Sequence, residues 1–487
     1  MRGCALRALV FSCIAGLGIT GCSAIFHLDE YSTDAEAQQS SDDGGLAGDG
    51  EPCVGASCTG GTCVPFDNAA RIQGFDPDAS LPPLPEGGAG DAGAGEGGKD
   101  GGGGGGGGDA GQDASSTNLP ACSGLPQPVY VVGSNSLATL AAELGALAST
   151  VPITVVYTTA HSCDGPKAII ANQTAAQAGA TTATYWDVSG TAHQCELDAA
   201  SQYADIGMSS VFADQCLSLP QGLSGVGDFL GPVTPGAIVV PAASSQTSIS
   251  AEALYYIVGL GSSAVAPWTS LDYVFVSPTS GGVQLDFGMA IGVPATRWLG
   301  NVVNSGSQNI ARIATSPQPE QTLGLMGTDL AEAPSTSTTI KELAYQDFGQ
   351  GCAFYPNSTE TSADKKSVRE GRYPIWGFTH MFTKVNAQSV PLNPSAATII
   401  NYFTGNVPTP TGNFLKYVIN DHLVPLCAMR VTRSDEMAAL TPFSPRPSCG
   451  CYFDSIATGA SSCSKCSSAS DCPSATPHCN LGYCEAN

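Results

Sequence analysis

Three short runs combine glycine or alanine with side-chain hydroxyls: Gly133-Ser134-Asn135-Ser136, Thr158-Thr159-Ala160-His161-Ser162 and Ser277-Pro278-Thr279-Ser280-Gly281-Gly282. Each follows an apolar stretch and precedes a helix-like one. At a helix N-terminus, hydroxyls and unpaired backbone N–H groups meet the positive end of the helix dipole, a setting that favours an anion. Capping alone accounts for one such run, but three in one chain point to an oxyanion site. Other chemistries leave weaker marks. There is no G-x-S-x-G nucleophile elbow for a Ser–His hydrolase, and His161, His193, His380 and His422 lack metal-ligand spacing. Gly93 to Lys99 fits G-x-x-x-x-G-K, but Asp100 stands where a phosphate loop needs Ser or Thr, so the match is a coincidence of a glycine-rich tract. The expectation is a binding protein, not an enzyme, with no cofactor and no metal.

The elements that must position these loops follow from periodicity. Residues 129–132, 153–157 and 273–276 read as buried strands, and helices follow each over 137–148, about 166–172 and 283–291. Leu137, Leu140, Leu144 and Leu147 share one helix face. Strands alternating with helices of this length predict an α/β protein with largely parallel sheets, whose ligands sit beyond the carboxyl ends of the strands.

The order of these motifs resembles the periplasmic phosphate-binding protein family, the substrate-binding components of phosphate ABC transporters. It is carried by residues 131–136, the turn 162–165, Asp205-Ile206-Gly207-Met208-Ser209-Ser210, Thr279-Ser280-Gly281-Gly282, Ile291-Gly292-Val293-Pro294 with Trp298, and 368–377. The resemblance implies two lobes that close on a small anion such as phosphate. It implies ligand contacts from Ser134, Asn135, Ser136, Ser162, Ser209, Ser210, Thr279, Ser280 and Gly281, and a transporter permease or surface partner. Two family features are missing: the arginine ahead of the last loop falls near Val276 or Ser277, and the ligand-accepting aspartate near Ser210. Another anion, a neutral ligand, or an interaction or adhesion protein that kept the fold without the site are therefore alternatives. Arg297, Arg312, Arg369 and Arg372 are candidates for the missing charge, each also readable as a surface residue. Tyr373, Trp376, Phe378 and Phe382 read as core.

Both ends of the chain differ from this middle. Residues 1–22 read as an export signal, with Arg2 and Arg7 before a short apolar run, and Ile19-Thr20-Gly21-Cys22 resembles the bacterial lipobox. That resemblance implies lipidation at Cys22 and, with Ser23 next, an outer-membrane location. Residues 23–120 are poor in large apolar residues and include eight consecutive glycines at 101–108, which predicts a disordered tether. The expected two-lobed domain then spans 121–448, with lobe 1 at about 121–240 plus 373–448 and lobe 2 at about 241–372. Residues 449–487 hold seven of the 19 cysteines and predict a small disulfide-rich module, similar to cysteine-rich repeats appended to exported bacterial proteins. Without the signal and Cys22, sixteen cysteines remain, and their grouping calls for at least one bridge between core and tail. The chain carries 18 Lys and Arg against 42 Asp and Glu, a net charge of −24, which excludes a nucleic-acid binder. Much of that acidity lies in the tether.

Overall fold

The computed structural model describes residues 119–487 apart from 177–179, 199, 217–222, 262–264, 277–280, 304 and 406–413. Cys22, the signal and almost all of the expected tether therefore lie outside the described residues.

The first half opens on β1 (Pro128–Ser134), α1 (Ala138–Ala148), β2 (Thr154–Ala160), α2 (Asp164–Ile170), the hairpin β3 (Thr182–Trp186) and β4 (Ala192–Glu196), and β5 (Ile206–Ser209). β1 runs parallel to both β2 and β5. Its side chains are buried on both faces: Val129 and Val131 pack with Leu137, Leu140, Leu144 and Leu147, while Tyr130 and Val132 pack with Val156 and Ala168 on the other side. This is the continuous apolar pattern of a parallel strand covered from two sides. α2 lies so close to β5 that a side chain at Gly207 would overlap the backbone of Gly165.

β6 (Val226–Pro241) then runs 16 residues out of this half and into the next. The second half adds β7 (Ser248–Ser250), β8 (Val274–Val276), α3 (Gly282–Ala290), β9 (Asn301–Val302), α4 (Gly306–Ala314), β10 (Leu323–Gly327), β11 (Ile340–Glu342) and β12 (Ala344–Gln346). β13 (Trp376–Lys384) returns antiparallel to β6 and to β5. Ile238 and Val240 face one core with Val274, Val276, Leu323 and Phe287, and Ala237 and Val239 face another with Phe275, Ile313 and Met326. The path runs β4-β3-β2-β1-β5-β13-β6-β10-β8-β9. The expected parallel strands form the centre of each half, and antiparallel strands join and flank them, so the sheet is mixed. The two-lobed α/β architecture that the resemblance implies is the one observed. Tyr373, Trp376, Phe378 and Phe382 are buried in it, as expected.

α5 (Pro394–Thr404) and α6 (Phe414–Asn420) return to the first half, and α7 (Gly450–Ala457) opens the cysteine-rich module. Among the described residues six disulfides form: Cys122–Cys195, Cys163–Cys216, Cys427–Cys449, Cys451–Cys463, Cys466–Cys479 and Cys472–Cys484. Cys427–Cys449 is the expected core-to-tail bridge. Cys53, Cys58 and Cys63 lie outside the described residues. Disulfides at this density belong to an oxidising, extracytoplasmic compartment. The sulfurs of Cys466, Cys472 and Cys484 cluster closely enough to hold a metal, but all three are committed to disulfides. Among the described residues no helix is long and apolar enough to cross a membrane.

Candidate functional site

The parallel register fixes where the hydroxyl loops emerge. Ser134 lies beside Ala160, and Gly133 beside Met208, so the loops after β1, β2 and β5 leave one edge of the sheet together. Ser162 and Ser210 are 0% and 3% exposed, and their hydroxyl oxygens lie 3.0 Å apart. From the other half, the N-terminus of α3 closes on this pair: a side chain at Gly282 would overlap Ser210 Oγ. The glycine at 282 is thus explained by close approach, and Gly281 before it is the extended N-cap of α3. Cys163–Cys216 clips the second loop to the third next to these serines.

The other candidates are placed less centrally. Ser134 Oγ lies 2.8 Å from Ser136 Oγ, and Tyr157 donates to the Ser134 carbonyl at 2.6 Å. Ser136 is exposed. Ser209 donates to the Val211 carbonyl at 2.8 Å and accepts the Val211 N–H at 3.1 Å, which engages its hydroxyl locally. Asn135 belongs to a short 3₁₀ turn, and Thr279 and Ser280 fall outside the described residues. The expected hydroxyl caps do not form: the N-caps of α1, α2 and α3 are Leu137, Cys163 and Gly281, none with a side-chain cap bond. Ser134 pairs with Ser136 and Ser162 with Ser210 instead.

Behind the serines lies a charged cluster that the sequence did not reveal. Asp286 on α3, Arg433, Glu436 and His380 are all buried. A side chain at Gly377 would meet both Asp286 Oδ2 and the Ser210 carbonyl, which puts Asp286 directly behind the loop. Arg433 donates to the Pro374 and Trp376 carbonyls at 2.9 and 2.5 Å, and its guanidinium carbon stands 3.5 Å from the Trp376 ring centroid. Glu436 accepts the Phe212 N–H at 3.1 Å, bridging the first half to the Asp286 side of the second. Burial first, and then its neighbour Glu436, hold the Asp286 carboxyl well above the usual range. Burial likewise raises Glu436, against the pull of His380, Asp286 and Arg433. Two of the four candidate arginines are engaged elsewhere, and a fifth, Arg433, is the one buried behind the serines. Arg369 pairs with Asp454 at 2.5 Å, Arg372 with Glu370 at 3.4 Å, and Arg433 holds the buried position.

The arrangement nearest to a hydrolase is Ser209, His380 and Asp228. His380 is Ser209's register partner on β13, and its Nδ1 lies 2.9 Å from Asp228. The required nucleophile–base bond is lacking, since Ser209 bonds Val211 and His380 Nε2 has no partner. His161 is two-thirds exposed and bonds Asp164.

These carboxyls set a pH dependence. Burial pushes Asp329 and Asp347 up to about 6, and raises Asp286, Glu436 and Glu342 as well. A carboxyl raised in the folded state contributes stability below its unfolded value, and that stability is lost as pH climbs through the folded value. Glu332, lowered mainly by Lys365 against burial, acts in the opposite sense. Glu332 and the other lowered carboxyls, Asp187, Asp198, Glu320 and Asp471, lose their contribution only at more acid pH, so between pH 5 and pH 8 the raised groups decide and denaturant unfolding is expected to show higher stability at pH 5. Asp329→Asn should remove about 1–1.5 kcal/mol of that difference, because the unfolded carboxyl is already largely ionised at pH 5. A profile rising from pH 5 to pH 8 would contradict this reading.

No protein-family model and no curated protein matches the chain. Among solved structures, it is similar to a possible phosphate binding protein from Planctomyces limnophilus, with 12% identity, 62% of this chain and 93% of that one covered, and a TM-score of 0.40. It is also similar to a putative phosphate ABC transporter substrate-binding protein from Clostridium perfringens, at 12% identity, 62% and 100% coverage and a TM-score of 0.41. The reduced OxyR regulatory domain from Pseudomonas aeruginosa gives 8% identity, 56% and 95% coverage and a TM-score of 0.31. Function has to be read from the site.

Proposed function

We propose that this chain is an exported solute-binding protein, anchored by a lipid on Cys22 to the outer membrane, that takes a small oxyanion of the phosphate class between its two lobes. The observation that carries the reading is the meeting of the Ser162 and Ser210 hydroxyls, from one half, with the N-terminus of α3 from the other. Turned toward a ligand, both hydroxyls and the first N–H groups of α3 are donors, and such donors discriminate against ligands that leave them unpaired. Calorimetry of the purified chain with phosphate, sulfate and related anions tests it. Binding weakened at least about tenfold by Ser210→Ala is expected, in keeping with the loss of one charge-assisted bond. Absence of heat with every anion would remove the ligand from the proposal.

One observation favours a second reading. Two carboxyls, Asp286 and Glu436, stand behind the serines with Arg433 as their cation, so the one buried arginine near the site is engaged with carboxyls and backbone carbonyls and not aimed at a ligand. On that reading the fold serves as a surface interaction or adhesion lipoprotein, and affinity capture of a specific envelope partner by a chain that ignores anions would favour it.

A further inference from the structure

A separate buried cluster lies where the loop 357–365 folds against the turn after the short helix Thr328–Ala331. Lys365 and Asn357 are each 1% exposed, which is unusual for a lysine in a stretch reading N-S-T-E-T-S-A-D-K. Lys365 Nζ donates to Glu332 Oε2 and lies 3.3 Å from Asn357 Oδ1. Asn357 Nδ2 donates to Glu332 Oε1 at 2.7 Å, and the Lys365 backbone N–H donates to Asn357 Oδ1 at 2.9 Å. The amide orientation follows from its partners, because a carboxylate only accepts and an ammonium and an N–H only donate.

A buried salt bridge accounts for the Lys365–Glu332 contact alone. It does not account for a carboxamide placed so that its carbonyl oxygen faces the amine while its nitrogen faces the other oxygen of the same carboxylate. That is the arrangement of an acyl transfer: a nucleophile, an acyl carbon, and one acid–base group touching both nucleophile and leaving nitrogen. The backbone N–H on Oδ1 is placed to steady the negative charge that develops there. Glu342, whose carboxyl is raised well above the usual range by burial first and then by Glu332, stands beside Glu332. His422 Nδ1, 3.1 Å from Glu332 Oε2, holds the carboxylate from a further side.

We propose that Lys365 and Asn357 condense into an intramolecular isopeptide bond, with Glu332 as the catalytic residue. Glu332 Oε2 takes a proton from Nζ, and the freed amine attacks Asn357 Cγ. The Nζ–Cγ bond forms, the Cγ–Nδ2 bond breaks, and Glu332 delivers the protons released by Nζ to the leaving nitrogen. An ammonium and a carboxamide become a secondary amide and an ammonium ion. Nζ keeps one hydrogen, the leaving nitrogen carries its own two and two from Nζ, and the net charge is unchanged. No oxidant and no cofactor is required. The product closes 357–365 into a covalent ring that reduction leaves intact.

Intact mass spectrometry of the full, reduced chain is expected to show a mass lower than the sequence mass by one ammonia. Trypsin should fail to cut after Lys365, and after cleavage by a glutamate-specific protease at Glu360, between the partners, the two pieces should stay joined. Glu332→Gln should have the full mass. A wild-type chain of full mass overturns the proposal whether or not that variant folds. So does an ammonia loss in which Lys365 is cleaved normally and the Glu360 pieces separate, because a succinimide at Asn357-Ser358 gives that result. A joined product in Glu332→Gln overturns the role given to Glu332.

Discussion

Replacing Arg433 with methionine is expected to cost about 3–5 kcal/mol of stability, the range for removing one partner of a buried charge cluster. The guanidinium is the cation set against Asp286 and Glu436, it donates to two carbonyls, and it lies on the face of Trp376. Methionine keeps much of the volume against the ring and removes the rest. The two carboxyls would then hold their protons more tightly, and the Pro374 and Trp376 carbonyls would lose their donor. A companion variant, Arg433→Met with Asp286→Asn and Glu436→Gln, should recover much of the loss, because the buried charge disappears together. Urea unfolding of the three proteins decides the matter. A loss below about 1 kcal/mol for the single variant would show the cluster to be solvated and its burial energetically unimportant.

The second large effect is expected from reduction. Residues 450–487 carry three internal disulfides spanning 12, 13 and 12 residues, and Cys427–Cys449 fastens the module to the lobes. Loops of that size correspond to roughly 3 kcal/mol each in the chain-entropy account. Few large apolar residues of the module are buried; Phe453, under Arg369 at 4.6 Å, is the main one. Under a mild reductant, hydrogen exchange should therefore rise through the whole module before it rises in β1 or β6. Retained protection over 450–487 after complete reduction would mean that packing, not cross-linking, holds the module.

How far the sequence reveals this protein depends on the range of the interaction. Hydroxyl–glycine runs beside apolar strands are local, so Ser162 and the Gly281-Gly282 pair could be found from spacing, whereas Ser210 entered only through the family resemblance; the structure brings Ser162, Ser210 and Gly282 together. The leucines of α1 are equally local. Arg433 gave no such signal: it sits in Val431-Thr432-Arg433-Ser434-Asp435-Glu436, a run that reads as a solvated charged turn. Its burial depends on β13 and α3, more than fifty residues away or further along the chain. The Asn357–Lys365 pair is close in sequence and still reads as surface, since Glu332 and Glu342 reach it only through the fold. A serine beside a helix start has two possible partners, the helix N–H groups and a neighbouring hydroxyl; Ser134 takes Ser136 of its own loop and Ser162 takes Ser210 of the facing one.

β6 and β13 have one further consequence. Two halves joined by loose loops would be free to swing, but here the two share a hydrogen-bonded ribbon that runs from Val226 with Lys384 to Pro235 with Trp376. Because the pairing is continuous backbone hydrogen bonding, any change of angle between the halves has to bend or break this ribbon. Its one irregularity, the register shift between Phe378 and His380, lies beside Phe212 and the charged cluster. Flexure should concentrate there, so that the molecule yields at a single crease and stays stiff on either side.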